Sequence, residues 1–171
     1  MSQQIELPRT NGCLGCGPGN PYGLKLHLRV DPNTGIVTVP FSPTQEHIGF
    51  EGIIHGGLLA TVLDEAMVWA ATWAGKRFCV CGELSVRFRA AASVGSKLTV
   101  EAKVEYSRPK LIQVAATVRT PSGGVIAAGE GKYVPVSPDQ NERMMRTLIQ
   151  DPATQQAHSV LTRGLSIDAE M

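Results

Sequence analysis

The sequence predicts an α+β fold in which a curved antiparallel sheet wraps around one long central helix. Residues 56–75 are apolar on nearly every side, and a helix of that kind must be surrounded by protein. After residue 75 the apolar residues recur every second position, which is typical of strands with one buried and one exposed face. Two further strand candidates precede the helix.

The elements follow from these patterns in chain order. Residues 11–23 are rich in glycine, asparagine and proline and predict turns. Strands are expected at 24–30 and 35–41, a loop at about 42–54, and the helix from Gly56 to about Gly75. Four longer strands are expected around residues 84–88, 98–104, 112–118 and 125–134.

The chain end differs from the sheet region. Ser137-Pro138 is a good helix start and predicts a helix over 139–150, and Asp151-Pro152 repeats the signal for a second helix that ends near Gly164. We therefore expect one domain over residues 1–136 and a helical tail over 137–171.

Composition excludes several classes of function. The chain has 171 residues, of which 43% are hydrophobic and 18% charged, with a net charge of +1. This balance gives no electrostatic reason to expect nucleic acid or a membrane as partner. The first ten residues lack a signal-peptide profile, and Asp64 and Glu65 interrupt the longest apolar stretch. We expect a cytoplasmic protein.

Four cysteines form two close pairs, Cys13 with Cys16 and Cys79 with Cys81. Zinc sites usually combine two C-x-x-C pairs or add histidines at ligand spacing, and the second pair here is irregular. A redox C-x-x-C normally opens a helix, whereas Gly-Pro-Gly-Asn-Pro follows Cys16. We expect reduced thiols, no metal and no cofactor.

His55, Gly56 and Gly57 stand where the loop becomes the helix. Backbone N–H groups are free at a helix start, and glycine lets a ligand approach them closely. The N–H of Gly57 is a candidate oxyanion donor, assisted by the helix dipole. The alternative is a tight turn in which His55 only bonds to backbone.

Asp64 is the candidate catalytic carboxylate, because a carboxylate within an enclosed apolar helix costs several kcal/mol unless something compensates it. The alternative is a structural ion pair with Arg87 or Arg89. Glu65 lies about 100° further round the helix, and we expect it to pair with a strand arginine.

Gly57 and Asp64 lie on one helix face together with Thr61, but they are separated by ~10 Å along the axis. This is too far for both to act on one carbonyl group. Two helices packed antiparallel about a twofold axis would bring Gly57 of one chain near Asp64 of the other. If both residues serve one reaction, the active site is shared between subunits.

The chain resembles the hotdog-fold thioesterases of the 4-hydroxybenzoyl-CoA and phenylacetate-pathway type. The resemblance rests on GIIHGGLLATVLDEA at 52–66, with its acid nine residues after His55, and on ELSVRF at 83–88. CLGCG at 13–17 and NPYGL at 20–24 resemble an N-terminal motif of one subgroup. The likeness spans about residues 12–136.

The resemblance implies an acyl-CoA thioesterase that acts as a homodimer or a dimer of dimers. Gly57 would polarise the thioester carbonyl, Asp64 of the other chain would attack it or activate water, and His55 would orient the site. Relatives often carry Ser or Thr opposite the acid, where this chain has Cys81, and some carry Asn or Gln where it has Gly49.

The remaining candidates concern binding of the substrate. Gly56, Thr61 and Glu65 accompany the catalytic residues on the helix, and Arg108 and Lys110 in a predicted turn are candidates for the phosphates of coenzyme A. The alternative for the last two is solvated charge at a hairpin tip.

Two other functions stay open on the same fold. A hydratase or dehydratase would need loop motifs that the sequence lacks. A non-catalytic acyl-CoA binder or sensor would have no use for a costly carboxylate at position 64. The acyl chain itself cannot be named from the sequence.

Overall fold

A computed structural model describes residues 4–167 of the chain, with side chains up to residue 163. Within these residues the chain forms nine strands and three α-helices, in the order β1 (Ile5–Glu6), β2 (Arg29–Val30), β3 (Val37–Phe41), β4 (Ile48–Phe50), β5 (Ile53–Ile54), α1 (Gly56–Gly75), β6 (Cys79–Phe88), β7 (Leu98–Arg108), β8 (Leu111–Arg119), β9 (Val125–Pro135), α2 (Pro138–Arg146) and α3 (Gln155–Ile167).

Seven strands build one antiparallel sheet in the order β1-β2-β3-β7-β8-β9-β6. The sheet is curved around α1 and gives the hotdog fold that the sequence predicts. β4 and β5 form a small separate hairpin just before α1. β6 lies at one edge of the large sheet and pairs, among the described strands, with β9 alone.

The helix α1 has the predicted limits, Gly56–Gly75. Its apolar side chains are enclosed on several sides, which explains why no single apolar stripe marks the sequence. Ten of its residues are buried: Leu59, Val62, Leu63, Ala66, Met67, Trp69, Ala70, Ala71, Thr72 and Trp73. The sheet approaches the helix closely at Gly129, where a Cβ would lie 3.3 Å from Cε of Met67.

The predicted strand at 24–30 is mostly wrong, because only Arg29–Val30 joins the sheet. The preceding residues are irregular, with Lys25 at a positive φ of 51°, and they bond to the N-terminal turns. The N–H of Leu24 donates to the carbonyl of Leu14 at 2.8 Å and that of Leu26 to the carbonyl of Gly15 at 2.9 Å. Alternation alone does not distinguish a strand partner from such a loop. The prediction at 35–41 is confirmed in its larger part by β3.

The four later strands are confirmed. β8 alternates between buried and partly buried positions along its length, as the two-residue period predicts. β6 begins earlier than expected, at Cys79, and its side chains are mostly exposed. The loop predicted at 42–54 contains a short 3-10 helix, Gln45–His47, and the β4–β5 hairpin.

The tail forms the two predicted helices with different limits. α2 begins as expected, with the side chain of Ser137 accepting the N–H of Gln140, but ends at Arg146 rather than near residue 150. A 3-10 helix, Pro152–Thr154, leads into α3, which continues past Gly164. The tail packs on the sheet region through buried Met145, Leu148, Ala157 and Leu161.

A boundary between two regions at residue 136 stays a prediction, and residues 1–3 and 168–171 of those regions lie outside the described residues. Over the part of the chain that is described, no helix combines the length and apolarity needed to cross a membrane. A cytoplasmic location also stays a prediction.

Candidate active site

The carboxylate of Asp64 is held by a buried phenol. The hydroxyl of Tyr133, on β9, donates a hydrogen bond of 2.8 Å to Oδ1 of Asp64. Asp64 is partly buried, and Tyr133 has no exposed surface. Burial and the neighbouring Asp64 charge raise the pKa of Tyr133, so this phenol stays a proton donor. The expected alternative, an ion pair of Asp64 with Arg87 or Arg89, is not formed within residues 4–163.

Sequence reasoning missed Tyr133. The signal was present as small residues at alternate positions of β9, since Gly129 and Gly131 precede the tyrosine on the same face. A Cβ at Gly131 would lie 2.5 Å from Cε2 of Tyr133. Glycine there makes room for the ring, and the ring reaches Asp64.

Cys81 lies beside this pair at the edge of the sheet. It is exposed in the single chain, and its thiol contacts the carbonyl of Glu83 at 3.5 Å. Desolvation, followed by the charge of Asp64, raises the pKa of Cys81. A thiol at this position therefore remains protonated near neutral pH, and it is a poorer hydrogen-bonding group than a hydroxyl.

His55 caps the start of α1. Its Nδ1 accepts the N–H of Gly57 at 2.9 Å, as N-cap side chains do. In the neutral ring, Nδ1 is therefore the acceptor and Nε2 carries the proton. The Gly57 N–H that we expected to face the substrate is thus bonded to His55.

The free amide at the helix start is that of Gly56. Its N–H has no partner among the described residues. Gly56 lies in a groove of about 490 Å³ together with His55, Phe50 and Phe88. A Cβ at Gly56 would lie 3.2 Å from Cζ of Phe88. The groove brings an unbonded N–H and apolar side chains to one place.

Gly49 packs on the opposite side of His55. A Cβ there would lie 3.1 Å from Cα and 3.2 Å from Cδ2 of His55. A larger side chain at this position would displace the imidazole. The Asn or Gln that the resemblance suggests at this position would therefore require His55 to shift.

Thr61 has a structural contact. Its hydroxyl donates to the carbonyl of Gly57 at 3.0 Å, one turn earlier in α1. The hydroxyl proton of Thr61 is therefore engaged in a hydrogen bond within α1. Thr61 also lines a second groove, of about 530 Å³, beside Leu58 and the N-terminal Tyr22.

Glu65 does not pair with a strand arginine, contrary to our expectation. Its carboxylate oxygens lie 3.8 and 3.9 Å from Sγ of Cys13, in the N-terminal turn segment. Burial raises the pKa of Glu65 to about 7. Cys13, Cys16 and Glu65 are the residues in the described chain whose atoms could hold a metal ion together.

Arg108 is the last residue of β7, and Lys110 lies in the predicted turn that joins β7 to β8. The hairpin lines a groove with Gly75, at the C-terminal end of α1. The guanidinium of Arg108 lies 4.9 Å from the ring centre of Tyr106. Within one chain these cations are therefore at the opposite end of α1 from His55 and Gly56.

Part of the chain is similar to a known protein family. Residues 51–127 match the model of the thioesterase superfamily, and no curated protein matches the chain. A crystal structure of a thioesterase superfamily protein has 27% identity and a TM-score of 0.67; the match covers 72% of this chain. This chain spans only 60% of the length of that protein.

Two further structures share the fold. The PaaI protein of the phenylacetic acid degradation operon of E. coli has 20% identity and a TM-score of 0.62, over 67% of this chain and 81% of that one. A Streptococcus mutans protein bound to acetyl CoA has 17% identity and a TM-score of 0.58, over 61% of this chain and 83% of that one. Residues 51–127 are therefore similar to the thioesterase superfamily, and the chain shares the hotdog fold of these solved structures.

Proposed function

We propose that this protein hydrolyses acyl-CoA thioesters, with Asp64 as the catalytic carboxylate. The observation that carries the proposal is the Tyr133–Asp64 hydrogen bond, which fixes one carboxylate oxygen at 2.8 Å and leaves Oδ2 for the reaction. The structure of the S. mutans protein with acetyl CoA supports coenzyme A as the thiol part of the substrate.

In the proposed reaction the thioester carbonyl oxygen accepts the N–H of Gly56, and not that of Gly57, which donates to His55. A backbone N–H aimed at a developing oxyanion stabilises the transition state by ~2.7–4 kcal/mol. His55 donates from Nε2 near the thioester. The groove beside Phe50 and Phe88 offers apolar surface to the substrate.

Asp64 acts in one of two ways. As a nucleophile, its carboxylate attacks the carbonyl carbon, the carbon–sulfur bond breaks, and the coenzyme A thiolate leaves an acyl-aspartyl anhydride that water then hydrolyses. As a general base, it takes a proton from a water that attacks the same carbon. In the first route the thiolate takes up a proton from solvent as it is released. In the second route the proton that Asp64 took from water passes to the thiolate, which restores the carboxylate.

A homodimer completes this site. Gly56 and Asp64 are eight residues apart on α1, so their separation along the axis is ~12 Å. One substrate carbonyl cannot contact both within a chain. We propose that Gly56 of one subunit acts with Asp64 of the other.

The edge strand β6 supports the dimer. Leu84 and Phe88 pair across from Gly131 and Ala127, on the sheet face that approaches α1, yet they are 37% and 53% exposed. An unpaired edge with apolar side chains favours association with a second copy. Two β6 strands related by a twofold axis would extend the sheet across both subunits.

Thiol release from short, medium, long and aryl acyl-CoAs tests the proposed function. Asp64→Asn keeps the side-chain shape, and we expect it to lower kcat by ~100-fold or more on the preferred ester. Asp139→Asn, an exposed carboxylate of α2, is the matched control and should retain turnover. Circular dichroism checks that both variants fold.

Two results would contradict the proposal in different ways. Binding of acyl-CoA without turnover of any ester would indicate a binding or sensing protein. Turnover that survives Asp64→Asn would show that another carboxylate performs the reaction.

A further inference from the structure

The N-terminal turn segment meets the central helix at two cysteines and a glutamate. Sγ of Cys13, Sγ of Cys16 and a carboxylate oxygen of Glu65 all lie within 4.8 Å of one another. Cys16 is 2% exposed, and Cys13 and Glu65 are partly buried. The cluster joins residues 52 positions apart in the chain, so it forms only when the segment packs on α1.

The separation of Cys13 and Glu65 is close to that of two zinc ligands. Sγ of Cys13 lies 3.8 and 3.9 Å from the two oxygens of Glu65, which is long for a hydrogen bond. In a tetrahedral zinc site, bond lengths of about 2.3 Å to sulfur and 2.0–2.2 Å to oxygen place a sulfur and an oxygen ligand about 3.5–3.7 Å apart. A small movement of either side chain would bring the two groups to that spacing.

The loop stabilises a thiolate at Cys13. The N–H of Cys16 donates to Sγ of Cys13 at 3.4 Å, and the N–H of Gly17 closes the turn on the Cys13 carbonyl at 3.0 Å. A backbone N–H directed at a sulfur favours the thiolate, which is the form that binds a metal ion.

Glu65 has no basic partner. Among residues 4–163 no lysine, arginine or histidine forms an ion pair with it. A shielded carboxylate without a basic partner is costly to ionise, which favours its neutral form. A divalent cation would remove that cost by supplying the missing positive charge.

Gly15 permits the contact. A Cβ at this position would lie 2.4 Å from Oε2 of Glu65, closer than real side chains approach. The backbone between the two cysteines thus leaves the space that the carboxylate fills.

We propose that Cys13, Cys16 and Glu65 bind one zinc ion, which fastens the N-terminal segment to α1. Two thiolates select zinc over magnesium or calcium, which prefer oxygen ligands. The sequence argued against zinc because it offers no second C-x-x-C; the third ligand comes instead from the helix. Water completes the tetrahedron at the partly exposed side of Cys13. Because Glu65 follows Asp64, the metal also holds the helix turn that carries the proposed catalytic carboxylate.

Metal titration of the full chain tests the proposal. Protein purified with a thiol reductant and a chelator is dialysed and titrated with zinc against a chromophoric indicator. A parallel titration with cobalt reports on the ligands, since thiolate ligation gives intense sulfur-to-cobalt charge-transfer absorption. We expect one metal per chain, with that absorption, and a higher Tm in the zinc form.

Variants identify the ligands. Cys13→Ser and Glu65→Gln should weaken zinc binding by more than the ~10- to 100-fold that loss of an outer-shell partner costs. Cys79→Ser removes another buried thiol that lies outside the cluster and should bind as the wild type does. Cys13 is partly exposed, so its serine variant keeps the buried core intact.

Three outcomes would overturn the proposal. They are a folded, reduced wild type that takes up no zinc or cobalt; metal binding that Cys13→Ser and Glu65→Gln leave unchanged; and a cobalt complex without sulfur charge-transfer absorption. None of these measurements uses turnover. The zinc site is therefore tested whether or not the protein proves to be a thioesterase.

Discussion

The hydroxyl of Tyr133 donates a 2.8 Å hydrogen bond to Oδ1 of Asp64, joining the last sheet strand to the middle of α1. The phenol is fully buried, so its position is set by packing. A hydrogen bond from such a group fixes both the rotation of the carboxylate and the oxygen that stays free. Orientation of this kind contributes to catalysis because reaction depends on the angle of approach.

Replacing Tyr133 with phenylalanine should separate orientation from packing. The ring remains, and only the hydroxyl that bonds Asp64 is lost. We expect kcat for the preferred acyl-CoA to fall by ~10-fold with little change in KM, and stability to fall by ~1.5–3 kcal/mol, the value of a hydrogen bond to a charged group. Steady-state kinetics and urea unfolding measure the two effects.

Tyr106→Phe is the control, since this tyrosine on β7 is 38% exposed and lies outside the site. Tyr106→Phe should change neither kcat nor the free energy of unfolding appreciably. A Tyr133→Phe enzyme with wild-type kcat would show that Asp64 does not need the phenol for orientation.

The two nitrogens of His55 are predicted to have separate roles, because Nδ1 caps α1 and leaves Nε2 available to the proposed substrate. His55→Ala removes both and should cost ~1 kcal/mol of stability as well as activity. His55→Asn offers a side-chain oxygen at the N-cap and should restore the stability. Activity should stay low in both variants, at ~10-fold or more below wild type, if the Nε2 proton serves the reaction.

Thermal unfolding and thiol-release assays on the same preparations decide the matter. Full activity in His55→Asn would limit His55 to the capping role, and the imidazole would then have no part in the chemistry.

The sequence predicted the elements whose signal is local. α1 was found with its limits because its apolar residues and its terminal glycines lie within one stretch. The long strands were found from their alternation. The Tyr133–Asp64 hydrogen bond was missed because its partners are 69 positions apart. They also belong to a strand and a helix, whose apolar residues repeat with different periods.

The contact of Glu65 was mispredicted for a related reason. Helical spacing gives the direction of the Glu65 side chain but not which element it contacts. A strand with an arginine and the N-terminal turns were equally possible partners. Glycine at position 15, which the carboxylate requires, is one of many glycines in a turn-rich segment. Its special role is visible only in three dimensions.

Introducing a charge on β6 should separate the subunits of the proposed dimer. Leu84→Glu places a carboxylate on the apolar side of the edge strand, where like charges from two copies would meet and lose water. We expect light scattering to report a monomer and thiol release to fall to near the Asp64→Asn level. Thr99→Glu, at an exposed position of β7, should keep the dimer and the activity. A monomeric wild type with full turnover would exclude the shared site.

The side chain of Asn141 fastens the tail to the beginning of β6. Its Oδ1 accepts the N–H of Phe78 at 2.7 Å, and Asn141 is only 1% exposed. Asn141→Ala leaves that backbone N–H buried without an acceptor, which costs ~1–3 kcal/mol. Urea unfolding should report this loss, and amide exchange at Phe78 should quicken.

Glu142→Ala, at the next and exposed position of α2, should stay within ~0.5 kcal/mol of wild type. Because Phe78 directly precedes the strand that carries Cys81, loosening it should also lower turnover modestly through the position of β6. Unchanged stability and unchanged exchange in Asn141→Ala would mean that the apolar contacts of Met145, Leu148, Ala157 and Leu161 hold the tail without this bond.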